Sequence, residues 1–132
     1  MYKSWLVTGI RFVVGIIFLQ TLFFKFSAAE ESVYIFSTLG VEPWGRLGAG
    51  VMELLIVALL LVPRLVWLGA LLGLGTMFGA LGAHLFVIGI EVSQDNGLLF
   101  GLALFNFFGC GLLLFLERET LRMLWKKVRK QA

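Results

Sequence analysis

The stretch that decides the fold runs from Leu65 to Ile90, LVWLGALLGLGTMFGALGAHLFVIGI, and holds no Asp, Glu, Lys or Arg. A helix needs roughly 20 mostly apolar residues to cross a bilayer, so this run alone predicts a transmembrane span. Three more runs flank it. Gly97–Leu116 is also free of charge, Leu47–Val62 is broken only by Glu53, and Trp5–Phe24 only by Arg11. Pro63–Arg64 separates the second run from the third, because proline cannot continue a helix. Asp95–Asn96–Gly97 reads as a turn between the third and the fourth. The chain is therefore expected to be an all-α integral membrane four-helix bundle in one domain. Its spans fall at about 5–26, 44–62, 65–90 and 97–116, and a tail covers 117–132.

Composition agrees. Hydrophobic residues make up 60% of the 132 and charged residues only 14%, against ~25% charged in soluble domains. That excludes a disordered chain and a soluble single domain, and it leaves no room for a sizeable extramembrane catalytic domain. One cysteine, Cys110, excludes an intrachain disulfide, a CxxC pair and any multi-cysteine metal site. One histidine, His84, excludes a haem held by two histidines. No metal site, phosphate loop or nucleophile–base pair is visible, so no catalytic residue can be named and the sequence leaves open whether this is an enzyme.

Charge sets the orientation. In the four-span arrangement Lys3, Arg64, Arg118, Arg122, Lys126, Lys127, Arg129 and Lys130 fall on one side. Lys25 and Arg46 fall on the other, with Glu30, Glu31, Glu42, Glu91 and Asp95. The positive-inside rule then places both termini in the cytoplasm of a cell inner membrane. A cleavable signal ending near Ser27–Ala28–Ala29 would leave three spans and separate Arg64 from the basic tail, so the first span is expected to stay. The tail, Glu117–Ala132, carries six basic and two acidic residues, with Leu121, Leu124, Trp125 and Val128 at helical spacing. It reads as a basic amphipathic helix on the cytoplasmic leaflet rather than a nucleic-acid binder.

Two further features concern packing. Gly69, Gly73, Gly75 and Gly79 in the third span form two pairs four residues apart. Such small residues allow close helix approach in lipid, within the bundle or at a homodimer interface. In the long loop, Ser32–Leu39 reads as a short amphipathic helix capped by Ser32 and ended by Gly40. An interfacial anchor is the expected role, with a lid over the outer end of the bundle as the alternative.

The functional signal lies in the intramembrane polar residues, because a charge in hydrocarbon is costly and usually partnered. These are Arg11, Gln20, Lys25, Glu53, His84 and Asn106, together with Arg46 at the outer end of the second span. At ~1.5 Å per residue, Glu53 lies roughly 12 Å from the outer face and Asn106 roughly 14 Å. Arg11 is the first expected partner of Glu53, with Arg46 and His84 as alternatives from above. The residues leave open whether Glu53 fixes helix docking or serves a proton or ligand. Cys110 reads as an inert packing residue.

Several of these positions carry a likeness to a known family. Arg11, the Phe24–Lys25–Phe26 end of the first span, Gly50–Val51–Met52–Glu53–Leu54–Leu55, the Pro63–Arg64 turn and Gly82–Ala83–His84 come in the order and spacing of the DoxX family. The chain resembles that family of small four-helix membrane proteins from about Ile10 to Leu116. Members usually have a glycine shortly before the lysine of the first helix. Here Leu19–Gln20–Thr21–Leu22–Phe23–Phe24–Lys25 lacks it, which marks a divergent member. The family takes its name from a membrane subunit of a thiosulfate:quinone oxidoreductase. The resemblance thus implies a subunit or auxiliary of a quinone-linked redox system, with a quinone as the ligand and other membrane subunits as partners. Thiol–quinone reductases are also four-helix bundles, but this chain lacks their cysteine pair. The competing expectation is a non-enzymatic assembly factor or structural subunit of a larger membrane complex. A small-solute transporter ranks third, since no inverted repeat is evident.

Overall fold

The computed structural model describes residues 2–92 and 94–132, and of Tyr2 and Lys3 the backbone alone. The side chain of Lys3, part of the charge sorting, thus lies outside the described residues. Among the described residues the fold is all-helical, with 85% helix. In order come α1 (Tyr2–Phe26), α2 (Glu30–Thr38), α3 (Trp44–Leu61), α4 (Val66–Ala83), α5 (Leu98–Leu116) and α6 (Arg118–Gln131). A 3-10 turn, Pro63–Leu65, joins α3 to α4, and a π-helical turn, His84–Ile88, extends α4. Among the described residues four helices are long and apolar enough to cross a membrane: α1, α3, α4 with its two flanking turns, and α5.

Each boundary has a local cause. Helix α2 closes in a Schellman motif. The Val41 N–H donates to Phe36 O and the Gly40 N–H to Ser37 O, with Gly40 at φ +77°. Helix α3 stops where Pro63 opens the 3-10 turn. The π turn stops at Gly89, whose φ of +91° favours glycine. Asp95 organises the next start, accepting hydrogen bonds from the N–H groups of Val92, Gly97 and Leu99 at 2.8–3.1 Å. Burial pushes the Asp95 carboxyl up, but those three N–H groups outweigh it and hold the group below its ordinary value.

Helices α1, α3, α4 and α5 close a ring in that order, each packing against the next and α5 against α1. Val14, Phe18, Ile56, Leu60, Val66, Ala70, Cys110 and Leu113 fill the centre. Outside, Phe78, Phe108 and Phe115 are 60–71% exposed, a belt that suits hydrocarbon rather than water.

The glycines divide. A Cβ on Gly73 would sit 2.7 Å from Cys110 Sγ and 3.3 Å from the Phe18 ring, and one on Gly69 would sit 3.1 Å from Leu59. These two let α4 approach α5, α1 and α3. Gly75 and Gly79 are exposed, and a Cβ on either would meet nothing within 4 Å. The packing expectation is therefore corrected for this second pair, because that side of α4 has no neighbour close to its backbone. Close approaches also come from glycines outside that spacing pattern. A Cβ on Gly109 would sit 2.6 Å from Val14, and one on Gly50 would sit 2.8 Å from the Phe26 ring.

Candidate functional site: a polar-floored cavity under a short helix

The end of the bundle that carries α2 encloses a cavity of about 250 Å³. Helix α1 contributes Ile17, Thr21, Phe24 and Lys25, and α3 contributes Ala49 and Glu53. Helix α4 contributes Thr76, Met77, Gly79, Ala80 and Ala83, followed by His84 in the π turn. Helix α5 contributes Leu99, Leu102, Ala103 and Asn106. Across the end lie Ser32, Ile35, Phe36 and Leu39. Helix α2 is therefore a cover over the cavity, and Ser32 is a buried lining residue rather than a cap. The position before the helix is Ala29, which makes no side-chain cap.

Several of the polar groups have defined partners. Lys25 Nζ donates to Glu53 Oε1 at 2.9 Å, and Thr21 Oγ1 lies 3.2 Å from Oε2. Glu53 is 2% exposed. His84 Nδ1 meets the Gly89 carbonyl at 2.9 Å, and its ring packs edge-to-face on Phe100. Asn106 is 1% exposed, and its Oδ1 has no hydrogen-bond partner among the described residues. A buried amide without a partner costs about 1–3 kcal/mol, and such a group in a native fold needs an explanation. Its place on a cavity wall supplies one.

No family model, no curated protein and no solved structure matches this chain. Function is therefore argued from the geometry of the site.

Of the seven polar residues singled out in the sequence, Lys25, Glu53, His84 and Asn106 meet at this cavity. Arg46 does not. Its Nε donates to Glu42 at 2.7 Å and its Nη1 to the Lys25 carbonyl, which ties the start of α3 to the end of α1. Gln20 is exposed on the outside of α1. Arg11 lies near the other end, its guanidinium 5.4 Å from the Phe12 ring and its buried Nε without a partner among the described residues. The expected Arg11–Glu53 pair is therefore corrected to Lys25–Glu53. The reason is register. Phe26, the last residue of α1, packs against Gly50, so α3 begins well beyond the end of α1. Glu53 thus sits level with the last turns of α1, and Arg11, fourteen residues back, is roughly 21 Å away along the helix.

Thr21, Ala80 and Ala83 were missed, and Ser32 and Gly79 were read only as a helix cap and a packing glycine. A helical-period signal existed for some of them. Thr21 precedes Lys25 by four, and Thr76, Ala80 and His84 recur every four residues, each set on one helix face. Small side chains at Gly79, Ala80 and Ala83 create the space. Among the described residues no group of three or more His, Cys, Asp or Glu could hold a metal ion. Cys110 is fully buried in the core, away from the cavity. The cavity thus offers apolar walls, one ion pair, a ring nitrogen and an unpaired amide, a pattern suited to the head group of an amphipathic small molecule.

Proposed function

We propose that this is a multi-pass inner-membrane protein of the DoxX type, with both termini in the cytoplasm. In this reading the cavity lies in the outer half of the bilayer and holds the head group of a quinone, within a quinone-linked redox system. The observation that carries it is Asn106, which lines an apolar cavity and whose buried Oδ1 has no partner among the described residues. The orientation is supported by the basic residues that gather at the other end of the bundle, in the Arg64 turn and in α6. Quinones dissolve in the bilayer, so their site needs apolar walls with few polar groups. A second reading, an assembly factor or structural subunit, is favoured by a separate apolar groove between α1 and α5. Trp5, Gly9, Val13, Phe105, Phe108 and Gly109 line it, and an apolar surface with two glycines is of the kind on which membrane helices pack. Thermal unfolding of the purified protein with and without a decyl-substituted benzoquinone separates the two. A concentration-dependent rise in melting temperature supports the quinone reading. No rise, together with a stoichiometric copurifying subunit, supports the structural one.

A further inference from the structure

We infer that the cavity reads its ligand as a hydrogen-bond donor, taking the hydroquinone in preference to the quinone through His84 Nε2. This rests on the quinone reading above and adds the form of the ligand. The key contact is the 2.9 Å one between His84 Nδ1 and the Gly89 carbonyl. A carbonyl only accepts, so Nδ1 carries the hydrogen. In the neutral ring Nε2 then holds a lone pair, and it has no partner among the described residues. The contact is built into the backbone. The π turn ends at Gly89, whose positive φ aims its carbonyl back at the ring, and Phe100 packs the ring from the side at 5.6 Å between centroids. His84 is a buried residue on the cavity wall.

His84 from the π turn and Asn106 from α5 both line the cavity, which supplies two polar groups for a ring with oxygens on opposite carbons. One hydroxyl donates to His84 Nε2. The other meets the Asn106 amide, which both donates and accepts and so takes either redox form. A quinone would instead set a carbonyl against the His84 lone pair, acceptor against acceptor, with the bond unmade. Glu53, a further acceptor lining the cavity from α3, is already engaged by Lys25 and Thr21.

The test is calorimetric titration of the full chain in lipid nanodiscs under anaerobic conditions. The probes are decyl-substituted benzohydroquinone and the matching benzoquinone, with empty nanodiscs as blank. The expected result is hydroquinone binding at least about tenfold tighter. His84→Gln, whose amide presents a donor as well as an acceptor, should bind both forms and bring the ratio close to one. Equal affinities in the unaltered protein, or a quinone preference, overturn the inference and leave the quinone reading standing. Binding of neither form overturns both. A preference that survives His84→Gln overturns the assignment to His84.

Discussion

Removing one partner of the Lys25–Glu53 pair should cost unequal amounts depending on which partner is removed. The two charges lie 2.9 Å apart, which at an effective dielectric of ~20 is an attraction of about 6 kcal/mol. Desolvation of the carboxylate offsets much of it. The side chains differ in access to water, with Lys25 at 16% exposed and Glu53 at 3%. Lys25→Met leaves a carboxylate buried without a counter-charge, and truncating such a pair costs about 3–5 kcal/mol when burial is full. Glu53→Gln leaves a lysine near the end of α1 that can turn its ammonium outward, and the new amide can still pair with Thr21. That loss should be about 1 kcal/mol. The double variant should fall between the two, because removing Glu53 removes what Lys25→Met leaves unpaired. Unfolding free energies in mixed micelles of mild detergent and sodium dodecyl sulfate give the four corners of the cycle. A coupling of about 2 kcal/mol is expected. Losses that simply add, with coupling under about 0.5 kcal/mol, or a larger loss for Glu53→Gln, would refute the assignment of this pair as the fixed polar centre.

Three other outcomes follow from the same structure. Gly73→Leu should destabilise by about 2 kcal/mol or more through overpacking against Cys110 and Phe18, whereas Gly79→Leu should leave unfolding in the same micelles nearly unchanged; equal losses would contradict the division of the glycines. Asp95 contributes stability that is present above its ordinary value of 3.8 and is lost as pH falls through its lower folded value. Acid titration of the melting temperature should therefore show a smaller drop for Asp95→Asn than for the unaltered chain below about pH 4. A cysteine at Glu31 should react with an impermeant maleimide in intact cells and one at Lys130 only after permeabilisation, while buried Cys110 gives no background; the reverse pattern would invert the proposed orientation.

The four long apolar helices were legible because charge-free runs of that length have few alternatives to a helix of membrane-spanning length. The Pro63 stop and the Gly40 close were legible for the same kind of reason, since each acts through local backbone chemistry. What sequence could not supply was register between helices. Depth counted from a common plane joined Glu53 to Arg11, when the offset of α3 beyond α1 brings Lys25 to it instead. Nor does spacing tell which glycine pair faces a neighbour. Gly69–Gly73 and Gly75–Gly79 share one pattern, and only the placement of Cys110, Phe18 and Leu59 separates them. The cover formed by α2 was readable as an amphipathic helix, but its seat over the cavity depends on a tertiary contact that Ser32 alone does not announce. His84 and Asn106 stood out as rare polar residues in apolar helices, which is the signal that brought four of the seven chosen residues to one site.

The central claim is that the cavity under α2 is a ligand site rather than a packing defect. Native mass spectrometry of the full chain released from mild detergent, beside Gly79→Leu, tests it most directly. Gly79 lines the cavity and a Cβ there meets nothing within 4 Å, so leucine should fill the space without unfolding the bundle. The account predicts a small hydrophobic molecule of quinone mass on the unaltered protein and its loss from Gly79→Leu. An unaltered protein that carries no such molecule, even after incubation with a quinone, or a Gly79→Leu protein that retains it, would contradict the account.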